Sequence, residues 1–548
     1  MVVSTHQARS LLKLVPSSIA SRVPTFRAVI LLAVVLPLTA LVAFQIAAYA
    51  VMPSPPEQDF ATNSAGAARL PIQRRDFPHR FVFGTATASY QVEGAFDEGG
   101  RGLSIWDTFC KTPGRILDAS NGDLAVDQYH RYKEDVDNMA EMGVDAYRFS
   151  VAWARIYPDG LEKGVNKEGV TYYNKLIDYL LEKGIKPYVT LYHWDLPQKL
   201  HDSFGGWTSQ EIVKHFAAYA ETCFAAFGDR VKHWITFNEP LQFSVLGYGL
   251  GIHAPGRCSD RRYCKAGDSA TEPYLAGHNV ILSHAAAVKI YREKFKALQG
   301  GVVGITVDAE WAEPMTDSVD DKVASQRRLE FQLGWFLDPF FFGDYPATMR
   351  EYVGDRLPKF TPEEQKSVRG SVEFVGINHY SSRFVTPALY AKPSDNYHQD
   401  QRILTSAVRN GAVIGDKAAS PWLYIVPWGL HRVLKWVSER YNRPPIYVTE
   451  NGMDEENNST LTLDEQLDDL KRIHFYQDYL TAVLQATREG MDIRGYFAWS
   501  LVDNFEWAMG YTKRFGLYYV DYETLKRYPK RSARWFKRFL SNSIKQEV

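Results

Sequence analysis

Cysteine is scarce here, and so is any surplus of charge. The 548-residue chain has four cysteines, and its 63 Lys and Arg against 64 Asp and Glu leave a formal net charge of -1. No run of Lys and Arg interleaved with aromatics stands out. That balance argues against a polyanionic partner such as nucleic acid. Cys110 and Cys223 stand alone, the second in an apolar helical pattern that suits a free buried thiol. Cys258 and Cys264 bracket "SDRRY" in a polar stretch, and no second Cys pair or nearby His pair completes a zinc pattern. In an oxidising compartment the two would pair as a disulfide; otherwise they are two exposed thiols. What the chain does have is apolar and aromatic mass. It is 45% hydrophobic and 23% charged, the balance of a globular protein, and long enough for one large domain or several small ones. Aromatics reach 14% of the chain, enough to suggest ring platforms beyond ordinary core packing.

Acidic residues are missing from positions 1–27, a basic tail carrying Arg9, Lys13, Arg22 and Arg27. Residues 28–51 are uncharged and mostly apolar. As a helix they would run about 36 Å, enough to cross a bilayer core of about 30 Å. Basic before apolar is the orientation of a signal peptide or a signal-anchor helix with its front end cytoplasmic. Ala48-Tyr49-Ala50 fits a cleavage site; the length of the apolar run fits a retained single-pass type II anchor and disfavours an organelle transit peptide. Residues 52–76, rich in Pro, Ser, Ala, Asn and Gln, read as a flexible linker. Further on, "NNST" makes Asn457 and Asn458 glycosylation acceptors. These features predict a secretory-pathway protein, lumenal, vacuolar or extracellular, with membrane attachment through residues 28–51 if that segment is retained.

From Phe77 onward, β-like and helix-like runs alternate. The β-like runs are 81–89, 144–151, 185–193, 232–238, 301–308, 373–380, 445–451 and 493–500. They are short, β-branched or aromatic, and mostly lack polar alternation, which suits strands buried on both faces of a parallel sheet. Helical patterns lie between them over 127–143, 166–184, 208–228 and 462–490, the third opened by a Thr208–Glu211 capping box. The pattern predicts an α/β fold, a single (β/α)8 TIM barrel with long inserted loops over 77–548.

Barrels of this kind work at the carboxyl ends of their strands. His193 ends the third run, Asn238 the fourth with Glu239 next, Asn378-His379-Tyr380 the sixth, Glu450-Asn451 the seventh, and Trp499 the eighth. Glu239 follows "WITFN" and Glu450 follows "IYVT", so two carboxyls would enter one pocket from different strands. Alone, "FNEP" reads equally as a helix start, with Asn238 as cap and Pro240 in the first turn. "ENG" alone reads as a turn. Together, at strand ends, they suggest acid and base, a shared proton, or a metal site. A metal would want more His or acidic ligands than His193 adds. Glycoside cleavage needs one carboxyl to protonate the leaving oxygen and another to meet positive charge at the sugar carbon.

"TFNEP" with "VTENG" resembles glycoside hydrolase family 1, the retaining β-glucosidases. "FVFGTATASYQVEGA", "YRFSVAWARIYP", "YVTLYHWDLPQ", "GINHYSS" and "GYFAWSLVDNFEWAMGYTKRFGLYYVD" follow in the family's order over about residues 77–540. "GIHAPGRCSD", with its short Cys258–Cys264 span, is similar to the plant β-glucosidase branch. The resemblance implies Glu239 as acid/base and Glu450 as nucleophile, with Arg148 and Tyr380 bonded to Glu450. It implies Gln91, His193, Asn238, Glu506 and Trp507 on the sugar hydroxyls, Trp499 beneath the ring and Phe515 along the pocket. The substrate would be a small β-glucoside cleaved by double displacement, with no cofactor and no metal. Glu506 would repel phosphate, and Glu239, where thioglucosidases carry Gln, favours O-glycosides. A plant-type Trp platform for the leaving group would fall near Gln401, in a segment without Trp. A transglycosidase using the same covalent intermediate is the alternative; a sugar-binding protein without catalysis fits the intact carboxyl pair poorly.

Overall fold

Eight short strands close a parallel barrel in sequence order. They are β1 (Val82–Ala86), β2 (Ala146–Ser150), β3 (Lys186–Tyr192), β4 (His233–Asn238), β5 (Val302–Asp308), β6 (Val375–Asn378), β7 (Ile446–Asn451) and β8 (Ile493–Trp499). The computed structural model describes residues 72–161, 164–388 and 396–541. β8 returns to β1 with Val82 opposite Gly495 and Ala86 opposite Trp499. Helices cover the outside and side chains fill the inside, so β2 and β7 are buried at every position. Two-sided burial is why the strands read as continuous apolar runs. Each of the eight predicted runs contains one of these strands. The basic tail, the apolar segment 28–51 and most of the 52–76 linker lie outside the described residues.

Helices follow the strands, and some of them end at a glycine. Gln128–Met142 stops at Gly143 with φ 82°. The inserted loops carry structure of their own: Trp311–Pro314, Ser382–Pro387 and Ile403–Ser406 form a three-stranded sheet above β5 and β6. Cys258 and Cys264 are joined as a disulfide, while Cys110 and Cys223 are free and buried.

Three expectations fail locally. The helix predicted from Thr208 begins at Ile212, and Thr208 turns back to donate to the Gly205 carbonyl (3.0 Å). Buried Trp207, bonded to the Tyr192 hydroxyl (2.9 Å), pins that turn to the core and prevents the capping box. The predicted 462–490 helix is two helices, Leu463–Leu467 and Leu470–Arg488. Asp469 breaks it because its carboxylate takes the Ser532 amide (2.7 Å) and the Arg472 guanidinium (2.9 Å). The end of the linker is folded: Arg74 reaches Asp145 at 2.6 Å, at the foot of the barrel.

Candidate active site

A cavity of about 480 Å³ opens at the carboxyl ends of the strands, and both Glu239 and Glu450 line it. A larger one of about 890 Å³, between residues 72–83 and the helix Arg531–Leu540, has no carboxylate in its walls. The chemistry belongs to the smaller cavity.

Glu239 sits just past β4 with φ 47° and ψ 62°, a left-handed conformation uncommon outside glycine. Its amide donates to the Thr306 carbonyl of β5 (3.0 Å), which holds the turn. Pro240 starts a helical turn, Pro240–Gln242, as the bare motif suggested, but no side chain caps it. The residue at the cap is Glu239 rather than Asn238, and its Oε1 accepts instead from Asn378 Nδ2 (2.8 Å).

Glu450 is bonded on both oxygens. Arg148 Nη1 donates to Oε1 (2.5 Å) and the Tyr380 hydroxyl to Oε2 (2.6 Å). Asn451 is not a turn residue: it donates to the His379 carbonyl and accepts from the Tyr496 hydroxyl (2.6 Å). Gly452 is demanded by packing, since a Cβ there would lie 2.0 Å from the Trp499 carbonyl oxygen.

Asn238 ties the two carboxyl sites together from below. Its Oδ1 accepts from Arg148 Nη2 (2.6 Å) and Asn378 Nδ2 (3.0 Å). Its Nδ2 therefore donates to His193 Nε2 (3.0 Å), which leaves the imidazole proton on Nδ1, an atom with no protein partner. Burial, and then Arg148, push His193 well below the ordinary histidine range, so it is neutral. Glu239 moves the other way. Burial, then Glu450, then Asp308 raise its carboxyl well above the usual range, against the Asn378 bond and Arg148. One carboxyl thus holds a proton beside another whose two oxygens both act as acceptors.

Of the residues that the resemblance puts on the sugar, five converge on the same space, and Gln91 and Asn238 are not among the lining residues. His193, Trp499, Glu506, Trp507 and Phe515 line the cavity. His193 lies nearly parallel to Trp499, with centroids 5.9 Å apart. Gln91 is fully buried; its Nε2 donates to Asn504 Oδ1 and the Phe505 carbonyl, both at 2.9 Å, and its Oε1 has no protein partner. Burial, then Asp454 and Glu450, push Glu506 up to about 8. Glu506 therefore repels phosphate only weakly, because near neutral pH its carboxyl is largely protonated. What disfavours phosphate is the shortage of cations: among the described lining residues Arg328 is the one Lys or Arg, and it is bonded to Gln401 Oε1 (2.9 Å) and Glu310 Oε2 (3.3 Å).

The leaving-group side corrects the sequence reading. Gln401 is 1% exposed, bonded to Arg328 and absent from the lining. Trp422, some twenty residues further on, supplies the tryptophan, with its ring edge-on to Tyr380 at 6.0 Å. Gln242, Leu246, Ile252, Asp308 and Gln332 also line the cavity; none belongs to the sequence-derived set. Trp422 and Gln332 lie in or beside inserted segments, where strand-end logic has no reach. Asp308 ends β5 and is found by that logic. Of the two candidate glycosylation residues, Asn457 is engaged through Nδ2 with the Tyr511 carbonyl and through Oδ1 with Arg514, whereas exposed Asn458 uses only its Oδ1, toward Thr460.

Comparison with known proteins places this geometry among relatives. The profile described as Glycosyl hydrolase family 1 matches residues 73–544. Beta-glucosidase 4 of Oryza sativa subsp. japonica is 57% identical over 474 residues, covering 86% of this chain and 96% of that protein. Beta-glucosidase 42 of Arabidopsis thaliana is 55% identical, covering 85% and 94%. A rice Os3BGlu6 β-glucosidase carrying a Glu→Gln substitution, solved in a covalent complex with Glc, superposes with a TM-score of 0.84 at 56% identity, covering 85% of this chain and 99% of that one. A β-glucosidase of the fungus Humicola insolens in complex with glucose has a TM-score of 0.83 at 44% identity, covering 86% and 98%.

Proposed function

The chain belongs to glycosyl hydrolase family 1, and from that premise we propose that Glu450 and Glu239 cleave the terminal β-D-glucosyl bond of an O-glucoside in two displacements. The observation that carries the assignment is the unequal holding of the two carboxyls: Glu450 accepts from Arg148 and Tyr380, while Glu239 is driven toward its protonated form. Glu450 attacks the anomeric carbon as Glu239 gives its proton to the departing oxygen. Bonding to the sugar removes the charge on Glu450, so Glu239 holds its proton less tightly and can take one from water in the second step. Arg148 and Tyr380 orient the attacking oxygen. The His193 Nδ1 proton, Gln91 Oε1 and Glu506 await sugar hydroxyls, and Trp499 lies under the ring. The covalent Glc complex of the rice relative supports an enzyme-bound intermediate.

Hydrolysis is favoured over transglycosylation because the relatives at 55–57% identity carry β-glucosidase names. The Cys258–Cys264 disulfide and the exposed Asn458 amide support maturation in the secretory pathway with a glycan at Asn458. Among the described residues no helix is long and apolar enough to cross a membrane; attachment, if present, is the work of residues 28–51.

The test combines stereochemistry and labelling. Proton NMR of early product should show β-glucose before mutarotation. A 2-deoxy-2-fluoroglucoside should label Glu450, and Glu450→Gln should lose hydrolysis of 4-nitrophenyl β-glucoside by several orders of magnitude. α-Glucose as first product, or near-normal turnover by Glu450→Gln, would sink the assignment.

A further inference from the structure

β5 ends in a carboxylate for which the mechanism has no use. Asp308 is buried, and a buried carboxylate ordinarily meets a cation. Here Oδ2 accepts from two neutral amides, Gln242 Nε2 (3.0 Å) and Gln332 Nε2 (3.1 Å), and Oδ1 has no protein partner. Arg328, the cation on that side, hydrogen-bonds Gln401 and Glu310 through its Nη atoms rather than Asp308 and acts on Asp308 by charge alone. The amides orient the carboxylate without neutralising it. Asp308 is also tied to the turn that carries Glu239. β4 and β5 pair at Asn238 and Thr306, the Glu239 amide bonds the Thr306 carbonyl, and the Gln242 backbone N–H bonds the Glu239 carbonyl (3.0 Å). Gln242 thus holds Glu239 at one end and Asp308 at the other, and both carboxyls line one cavity.

We propose that Asp308 is a positioning residue whose fixed negative charge governs how tightly Glu239 holds its proton in both displacements. The inference rests on Glu239 being the acid/base. Glu450 acts on Glu239 in the same sense, but only while it is free: once bonded to the sugar it is an uncharged ester. Asp308 forms no bond to the sugar, so its carboxyl stands beside Glu239 in both steps. In the first displacement it helps Glu239 arrive protonated. In the second it keeps Glu239 a strong enough base to take a proton from water, which adds to the anomeric carbon as the Glu450–sugar bond breaks. The proton count closes, since Glu239 gives one to the leaving group and recovers one from water.

The surrounding groups fit this division of labour. Glu239 faces Arg148 from β2, neutral His193 after β3, Asn378 and Tyr380 at and after β6, and Glu450 from β7. Asp308 faces Arg328 and Gln332 from the helical segment after β5, Gln242 from the β4 loop, and the Tyr397 hydroxyl, with Glu310 beyond Arg328. Burial raises Asp308, and its two amide bonds and Arg328 counter it. Glu239 has a single amide bond and sits between two acids, so Asp308 ionises first and Glu239 keeps the proton.

Asp308→Asn in the full chain keeps the shape and removes the charge. The alkaline limb of kcat/KM on 4-nitrophenyl β-glucoside should move to lower pH by about one unit. Turnover of 2,4-dinitrophenyl β-glucoside, where the second displacement limits, should fall about three- to tenfold. Asp308→Glu should restore the limb. Asp308→Ser, which leaves room for a water between the two amides, reaches the same uncharged site by a second route. A soluble variant with native melting and an unmoved alkaline limb overturns the proposal. Glu239→Gln keeps the two readings apart: if it also leaves the limb in place, the acid/base assignment has failed; if it abolishes the limb while Asp308→Asn does not move it, only the role of Asp308 has failed.

Discussion

Removing one oxygen from Tyr380 isolates the holding of Glu450. The hydroxyl donates to Oε2 at 2.6 Å, while the ring is kept by Phe515 and Trp422, each 6.0 Å away between centroids. Tyr380→Phe therefore removes a bond and little packing. A hydrogen bond to a charged group contributes about 1.5–3 kcal/mol. If the bond acts in the transition state, 1.36 kcal/mol per decade converts this to a loss of about 10- to 150-fold in kcat/KM. The loss stops there because Arg148 still holds Oε1. Initial rates on 4-nitrophenyl β-glucoside, with a melting curve for each variant, measure it. Tyr179→Phe is the control, since it removes a phenol-to-carboxylate bond of the same kind, to Asp137 at 2.8 Å, on the outer helices. It should leave kcat/KM within about twofold. Equal losses in both variants, or none in Tyr380→Phe, would refute the reasoning that this bond orients the attacking oxygen.

Glu239→Gln should raise the melting temperature at pH 8 and leave it unchanged near pH 4. The folded chain binds the Glu239 proton more tightly than the unfolded chain does, so ionising it costs stability above the unfolded pKa, a cost the amide escapes; a melting difference that grows toward acid would contradict the direction of the shift. If the Trp422 ring, which lines the cavity, meets the leaving group and not the sugar, Trp422→Ala should cost about tenfold in kcat/KM for aryl glucosides and much less for methyl β-glucoside; equal losses on both would move Trp422 to the sugar side. Gly452→Ala should abolish activity by displacing either the end of β7 or the Trp499 carbonyl 2.0 Å from the new methyl group, and wild-type rates would show that this contact yields freely.

The barrel and its two carboxyls are legible in the sequence. Period-free apolar runs capped by polar residues describe strands buried on both faces, and barrel connectivity then sends their carboxyl ends to one mouth. Glu239 and Glu450 follow from that alone, as do His193, Tyr380 and Trp499. Local sequence logic failed where a distant group competed. Trp207 found Tyr192 and undid a capping box; Asp469 found Ser532 and Arg472 and split a helix.

Sequence by itself determined which residue types stand at which strand ends, because strand periodicity and parallel connection are local rules read along the chain. Only the tertiary structure decided their ionisation and the leaving-group wall. Burial, Glu450 and Asp308 together favour the protonated form of Glu239, and the two other acids come from two further strands, β7 and β5. Trp422, and not the segment around Gln401, reaches the cavity because inserted loops fold on one another, and their approach obeys no period in the sequence.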